Sequence, residues 1–236
     1  MKKLAAMGWF RRWHVRQGVV TVLLLLAGMG LVGFSVGYVV DAQMTARIQQ
    51  LEQRVAELQA IVDANARRNY ALQKVISIID RYNPEMSSQE KFQIANEIYE
   101  LSLQYDNLSI DLLCALITHE TGGTWNPRVV SPAGAMGLMQ VMPSTGRYVA
   151  QMEGIQWTSA EDVLFDPIKN LRIGARYLSD LVSEYGLEGA LAAYNGGARR
   201  ASRWLASGKQ DHILYGETRR YVPAIVKLYE EYRALM

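Results

Sequence analysis

The sequence predicts an all-α protein built as a transmembrane helix, a long helical stalk and a compact helical domain. Three observations lead there. Residues 18–40 are 23 uncharged residues in a row, mostly apolar, and a bilayer core needs about 20 in a helix. Apolar residues then recur at steps of three and four from Met44 to Ile79, the heptad spacing of a coiled coil. From Asn83 onward they fall at helical spacing between capping residues and glycine stops. No run alternates as a strand would.

Composition narrows the function classes. Half of the 236 residues are hydrophobic and 20% are charged, which excludes a disordered chain. One cysteine (Cys114) and three histidines (His14, His119, His212) exclude a disulfide framework and leave little material for a metal centre. No metal or other cofactor is expected. The net charge of +2 is an average over unlike parts. Residues 1–17 hold Lys2, Lys3, Arg11, Arg12 and Arg16 and no acid. Without those five, 20 Lys+Arg face the chain's 23 Asp+Glu. A nucleic-acid binder would carry its basic excess on the folded part, so no nucleic-acid partner is expected.

Each element can be justified in order. The basic tail, residues 1–17, precedes the apolar run, and Asp41 comes directly after it. By the positive-inside rule the N-terminus is cytoplasmic and the rest lies outside a bacterial inner membrane, in the periplasm or extracytoplasmic space. A cleaved signal peptide is the rival. Its apolar region would be shorter, about 7–15 residues, and "YVVDAQ" is a poor cleavage site. Residues 18–40 are therefore assigned as a single-pass, uncleaved anchor. Gly33 and Gly37 form a G-x-x-x-G, which gives weak support for helix pairing.

Residues 41–81 form the stalk. Met44, Leu51 and Leu58 share one heptad position; Ile48, Val55 and Val62 share its partner. The pattern resumes after Asn65 and Asn69 with Leu72, Ile76 and Ile79. A homo-oligomer through this coiled coil is the leading expectation; a single amphipathic helix lying on its own domain is the alternative. At about 1.5 Å per residue, the stalk would hold the C-terminal domain some tens of Å from the membrane.

Residues 82–236 form the domain. Asn83-Pro84 breaks the stalk, and Ser87 with Glu90 makes a capping box. Ile94, Ile98, Leu101 and Tyr105 mark the first apolar face. Ser109 caps a second helix with Leu112, Leu113, Leu116 and Ile117 inward. Asp166-Pro167 starts a third, carrying Ile168, Leu171, Ala175, Leu178, Val182 and Tyr185. Gly186 and Gly196-Gly197 read as helix stops. Val222, Ile225, Tyr229 and Tyr232 mark a last helix.

One carboxylate is out of place. Glu120 lies seven residues after Leu113, four after Leu116 and three after Ile117, so it falls on the apolar face of its helix. Gly122-Gly123 then ends that helix. A buried carboxyl is costly unless it is paired or neutral. Desolvation raises its pKa, as a general acid working near neutrality requires. The alternative is a purely structural Glu satisfied by an Arg or by backbone donors. Two glycine-rich loops come next. Ser131 to Pro143 (SPAGAMGLMQVMP) reads as a rigid close-approach loop whose Ser131 and Gln140 suit a polar neutral ligand. Ala193-Tyr194-Asn195-Gly196-Gly197 sets an aromatic beside an amide. Either could equally be a packing loop.

Taken together these blocks resemble the soluble-type lytic transglycosylases, which share their fold with goose-type lysozymes. The matching stretches are Glu120-Thr121-Gly122-Gly123-Thr124-Trp125-Asn126-Pro127, the Ser131–Pro143 block, and Asp166-Pro167 with Asn170, Gly174 and Tyr177-Leu178. They continue with Ala193–Gly197 and Glu217-Thr218-x-x-Tyr221-Val222. The resemblance spans roughly residues 84–232. It departs from the common pattern in two extra residues between Glu120 and Pro127, in Thr121 for serine, and in Trp125 where phenylalanine is frequent.

The resemblance implies a lysozyme-like domain that cleaves the β-1,4 bond between N-acetylmuramic acid and N-acetylglucosamine in peptidoglycan without water. It implies Glu120 as sole general acid and base, leaving 1,6-anhydromuramoyl ends. It places Ser131, Gln140, Met142, Tyr194 and Asn195 along the glycan cleft. Tyr194 is its best candidate to hydrogen-bond near the catalytic centre. Glu217 and Tyr221 are carried by the last block with less defined roles. Peptidoglycan strands, the inner membrane and the machinery of the envelope are the expected partners. A hydrolytic muramidase and a glycan-binding structural subunit of an envelope machine are the two alternatives. His119 is expected to orient a neighbour or face the surface, and Cys114 to be an inert buried thiol.

Overall fold

The computed structural model describes residues 3–235. Met1, Lys2 and Met236 lie outside the described residues, as do the side chains of residues 3–16, Val36 and Gly37. The cationic tail and the Gly33/Gly37 pair therefore fall outside them in whole or in part. The described residues contain no strand, only isolated bridges of Met136 with Val130 and Val141. The helices are α1 (Lys3–Tyr82), α2 (Ser88–Gln104), α3 (Ile110–Glu120), α4 (Pro143–Met152) and α5 (Ala160–Leu164). They continue as α6 (Pro167–Gly196), α7 (Ala198–Ala206), a 3-10 turn (Asp211–Ile213) and α8 (Gly216–Arg233).

The chain divides into two compact units, residues 1–64 and 65–236. The first is the body of α1. Its apolar run from Val19 to Val40 is exposed along its described length. The mean hydropathy of its most apolar 18 residues is 2.4, and α1 alone among the described helices is long and apolar enough to cross a membrane. Met44, Ile48, Leu51, Val55, Leu58 and Val62 are exposed as well.

The second unit begins inside α1. Leu72, Val75, Ile78 and Ile79 are buried in its core. The heptad spacing predicts Leu72 and Ile79 on the stalk seam; here they pack into the domain, because the same 3/4 spacing serves any buried helix face. Lys74 pairs with Asp111 at 2.9 Å at the start of α3. Lys91 pairs with Asp80 at 2.6 Å and donates to the Pro84 carbonyl at 2.7 Å. The end of α1 is thereby pinned to α2 and α3.

The caps agree with the sequence. Ser87 Oγ accepts from Glu90 N–H at 3.2 Å, Ser109 Oγ from Leu112 N–H at 3.2 Å, and Asp166 Oδ1 from the Ile168 and Lys169 amides at 3.0 and 3.1 Å. Each satisfies amides that a helix start leaves open. Gly186, expected as a stop, is instead a kink: its φ of 69° breaks the helical geometry and α6 resumes to Gly196. α3 packs against α8 and α2, and its Leu113, Leu116 and Ile117 are fully buried. Arg172 on α6 holds Glu97 on α2 by two hydrogen bonds of 2.6 and 3.1 Å. The helix carrying Glu120 is thus clamped on several sides.

Candidate active site

The site begins at the last residue of α3. Glu120 ends the helix, and the chain turns away through Gly122 (φ 59°) and Gly123 (φ 77°). Their amides return to the His119 and Thr118 carbonyls at 3.0 and 2.8 Å. The helix therefore stops at the carboxylate, with Thr121 as its cap. Protein surrounds the Glu120 carboxyl closely enough that desolvation pushes its pKa up to about 7; a nearby Glu217 also raises it, and a hydrogen bond from Tyr221 opposes the rise. The Tyr221 hydroxyl on α8 donates to Glu120 Oε1. Tyr221 is buried, and its own pKa is pushed well up by that burial and by the adjacent Glu120. It is a fixed neutral donor.

His119 lies edge-on to the Tyr221 ring, with centroids 4.8 Å apart. Burial lowers its pKa, with Glu217 pulling the other way. It packs against the tyrosine that holds Glu120.

The stretch from Glu120 to Pro127 is anchored through Trp125. Trp125 is fully buried. Its Nε1 donates to Thr118 Oγ1 at 2.9 Å, and Thr118 Oγ1 lies 3.0 Å from the Tyr232 hydroxyl. The Trp125 amide donates to Thr121 Oγ1 at 3.1 Å. Trp125 has φ 47°, a conformation such a bulky residue holds only when its surroundings fix it. The sequence does not single out Thr118 or Tyr232 for this role; the available signal is a threonine on an apolar face just before the carboxylate.

The second block is organised by Asn170, which is fully buried. Its Oδ1 accepts from the Met139 amide at 2.8 Å. Its Nδ2 donates to the Met136 and Leu164 carbonyls, both at 2.9 Å. Gly137 (φ 79°) passes so close that a Cβ would stand 2.2 Å from Asn170 Nδ2. Ser131 closes a turn, its Oγ accepting from the Ala135 amide at 3.0 Å. Gln140 donates to the Gly137 and Val129 carbonyls at 2.9 and 3.2 Å, so its amide nitrogen is held by its own loop. Met142 is 41% exposed at the start of α4.

Tyr194 donates to the Met139 carbonyl at 2.8 Å. The hydroxyl on Glu120 is thus that of Tyr221, while Tyr194 ties the second block to α6. Its pKa is still pushed well up, by burial first and then by Glu120. Asn195 accepts from Thr218 Oγ1 at 2.7 Å and donates to Glu217 Oε1 at 3.4 Å. The structure thus gathers Glu120, Tyr221, Tyr194, Asn195 and Glu217 around the end of α3. Ser131, Gln140 and Met142 connect to them through the Met139–Tyr194 link. Among the described residues no group of His, Cys, Asp and Glu is arranged to hold a metal ion.

Comparison with known proteins places this arrangement. Residues 98–214 match the transglycosylase SLT domain. The soluble lytic murein transglycosylase of Escherichia coli is 32% identical over 159 residues, covering 63% of this chain and 24% of that protein. Membrane-bound lytic murein transglycosylase C of Klebsiella pneumoniae is 32% identical over 152 residues, covering 60% of this chain and 41% of that protein. A solved structure of an inactive Glu-to-Gln mutant of the lytic transglycosylase Slt from Pseudomonas aeruginosa superposes with a TM-score of 0.53 at 27% identity, over 65% of this chain and 25% of that one. The 70 kDa soluble lytic transglycosylase of Escherichia coli gives 0.50 at 30%, over 61% of this chain and 26% of that one. The chain spans about a quarter of the length of the first curated relatives it matches. Through the domain that holds Glu120, the chain belongs to the lysozyme-like lytic transglycosylase family.

Proposed function

We propose that this protein is a peptidoglycan lytic transglycosylase with Glu120 as its single acid and base. The observation that carries the reading is the Glu120 carboxyl: enclosed at a helix end, raised to about 7 and aimed by the Tyr221 hydroxyl. At neutral pH such a group is protonated in a large fraction of molecules and gives up its proton readily. It protonates the bridging oxygen between N-acetylmuramic acid and N-acetylglucosamine as the C1–O bond breaks. The carboxylate left behind takes the proton of the muramoyl C6 hydroxyl, and that oxygen closes onto C1. The catalyst regains its proton, no water is consumed, and the product ends in 1,6-anhydromuramic acid.

A water-based mechanism would draw on a second carboxylate flanking the bond. Glu217 is the acid that raises Glu120, but it is exposed and accepts from Asn195. That favours the sugar's own hydroxyl as nucleophile. Ser131, Gln140, Met142, Tyr194 and Asn195 line the glycan cleft in this reading, with Tyr221 setting the carboxyl. It also gains support from a similar solved protein whose Glu-to-Gln mutant is inactive.

The exposed apolar part of α1 is read as a single-pass inner-membrane anchor with the catalytic domain outside the cytoplasm. Membrane-bound relatives support that reading. The test is product analysis by mass spectrometry. The full chain in detergent should release anhydro-muropeptides from sacculi, and Glu120→Gln should fold normally and lose at least about 1000-fold in turnover. Reducing muramoyl ends in place of anhydro ends would assign the hydrolytic mechanism instead.

A further inference from the structure

Behind Glu120 runs a chain of hydrogen bonds that no step of the proposed reaction uses. Trp125 Nε1 donates to Thr118 Oγ1 at 2.9 Å, and Tyr232 donates to the Tyr82 hydroxyl at 3.3 Å. Between them, Thr118 Oγ1 lies 3.0 Å from the Tyr232 hydroxyl. Tyr232 directs its one proton to Tyr82, so Thr118 is the donor in the middle bond. All three bonds therefore run one way, from the indole to Tyr82, and each polarises the next. Trp125 and Tyr232 are fully buried, and Thr118 is buried too. Three helices meet in the chain: α3 through Thr118, α8 through Tyr232 and the end of α1 through Tyr82.

Thr118 is where the chain joins the catalytic helix. Its carbonyl accepts from the Gly123 amide at 2.8 Å, and its hydroxyl accepts from the Trp125 indole. It thus grips the turn 121–125 at two points, and that turn ends α3 at Glu120. The end of α1 covers the same turn. A Cβ on Gly123 would lie 3.4 Å from the Tyr82 ring, and Asn83 Nδ2 donates to the Trp125 carbonyl at 3.4 Å. Tyr221 and Tyr232 bind α8 to α3, one on Glu120 and one on Thr118, about three helical turns apart. Pro223 lies between them inside α8 and removes one of its backbone hydrogen bonds. α8 is therefore a poor lever along its own length, and the influence of Tyr232 on the carboxyl runs through Thr118 and the last turn of α3.

We propose that Tyr232, completed by Tyr82 at the end of α1, is a positioning residue for Glu120: its hydroxyl holds the last turn of α3 so that the carboxyl meets Tyr221. This rests on the reading of Glu120 as the acid. The groups that bear on Glu120 are Tyr221 and Glu217 from α8 and Tyr194 from α6, with His119 against Tyr221. Tyr232 faces Tyr82 from α1 and Thr118 and Cys114 from α3, and burial keeps it neutral. Tyr232→Phe therefore removes a hydroxyl and no charge.

The test uses the full chain in detergent on dye-labelled sacculi. In Tyr232→Phe, kcat should fall about tenfold with KM changed by less than about twofold. The falling limb of kcat/KM should move up by about 0.5 in pH, because the Tyr221 hydrogen bond that favours the charged carboxyl is weakened. In a Tyr221→Phe background the same change should leave the limb in place. A limb unmoved by Tyr232→Phe reduces the chain to a stability feature and overturns the proposal. So does a shift that persists in the Tyr221→Phe background, or an effect confined to KM. Should Tyr232→Phe fail to fold, Tyr82→Phe removes the far acceptor from a half-buried position, and its limb must also move up; a limb that stays overturns the proposal. Infrared titration of the carboxyl, with Glu120→Gln as the blank, follows the same proton without turnover. A carboxyl that shifts there while Glu120→Gln retains turnover would remove the proposed reaction and leave the positioning standing.

Discussion

The proton on Glu120 is governed by opposed local effects, and each can be tested. Burial raises the carboxyl to about 7, and the Tyr221 hydroxyl pulls it down. A general acid must start protonated, so kcat/KM on dye-labelled sacculi should fall as pH rises through about 7. Tyr221→Phe removes the hydrogen bond that favours the charged form. Its falling limb should lie at higher pH than the parent's, with lower kcat because the carboxyl is no longer aimed. A limb that stays in place would mean that Tyr221 does not set this proton. Stability carries the same signature. The folded pKa lies above the ordinary carboxyl value of 4.5, so between those values the native state keeps a proton that the unfolded chain has lost. The contribution of Glu120 to stability is fully present below about 4.5 and is lost as pH rises to about 7, by roughly 3 kcal/mol over the whole window. Glu120→Gln cannot ionise and should lose that part of the pH dependence in denaturant titrations.

At the scale of elements, Asn170 shows what one buried amide can organise. It joins α6 to the 136–141 loop and to the end of α5 through three hydrogen bonds. Asn170→Ala would leave three backbone groups unpaired and should cost about 3 kcal/mol. The loss would appear as a lower denaturant midpoint, with turnover falling as the loop loosens. The helices and their caps are legible in the sequence because Ser87, Ser109 and Asp166 announce helix starts through local chemistry. Glu120 is legible because a carboxylate on an apolar face breaks its own pattern. The hydroxyl partner is not: the sequence favours Tyr194, whereas in the fold Tyr221 donates to the carboxyl and Tyr194 to the Met139 carbonyl. The short helices α4, α5 and α7 also escape a sequence reading, since they carry too few turns to establish a period. In the sequence, Trp125 is only an aromatic five residues after Glu120, where phenylalanine is frequent in the resembled family. In the fold it is a buried wedge under α3, held by Thr118, and only the three-dimensional partner reveals that.

At the scale of the whole chain, the heptad pattern divides into two uses. Leu72, Val75 and Ile79 are satisfied within the second unit. Met44, Ile48, Leu51, Val55, Leu58 and Val62 belong to the first unit and each remains more than half exposed. Burying such a side chain is worth about 1.5–3 kcal/mol when complete, so six left in water along one stripe favour association. Two or more copies of the chain can cover that stripe by knobs-into-holes packing. The full chain in detergent micelles, sized by light scattering with the micelle subtracted, should therefore run as an oligomer. Ile48→Ser, Leu51→Ser, Val55→Ser and Leu58→Ser together should return it to a monomer. Turnover per chain on sacculi should persist in that variant, because Glu120 and every partner described for it lie within residues 65–236. A parent that is monomeric at micromolar concentration would refute the coiled coil. The exposed stripe would then have to be covered by something other than a second copy.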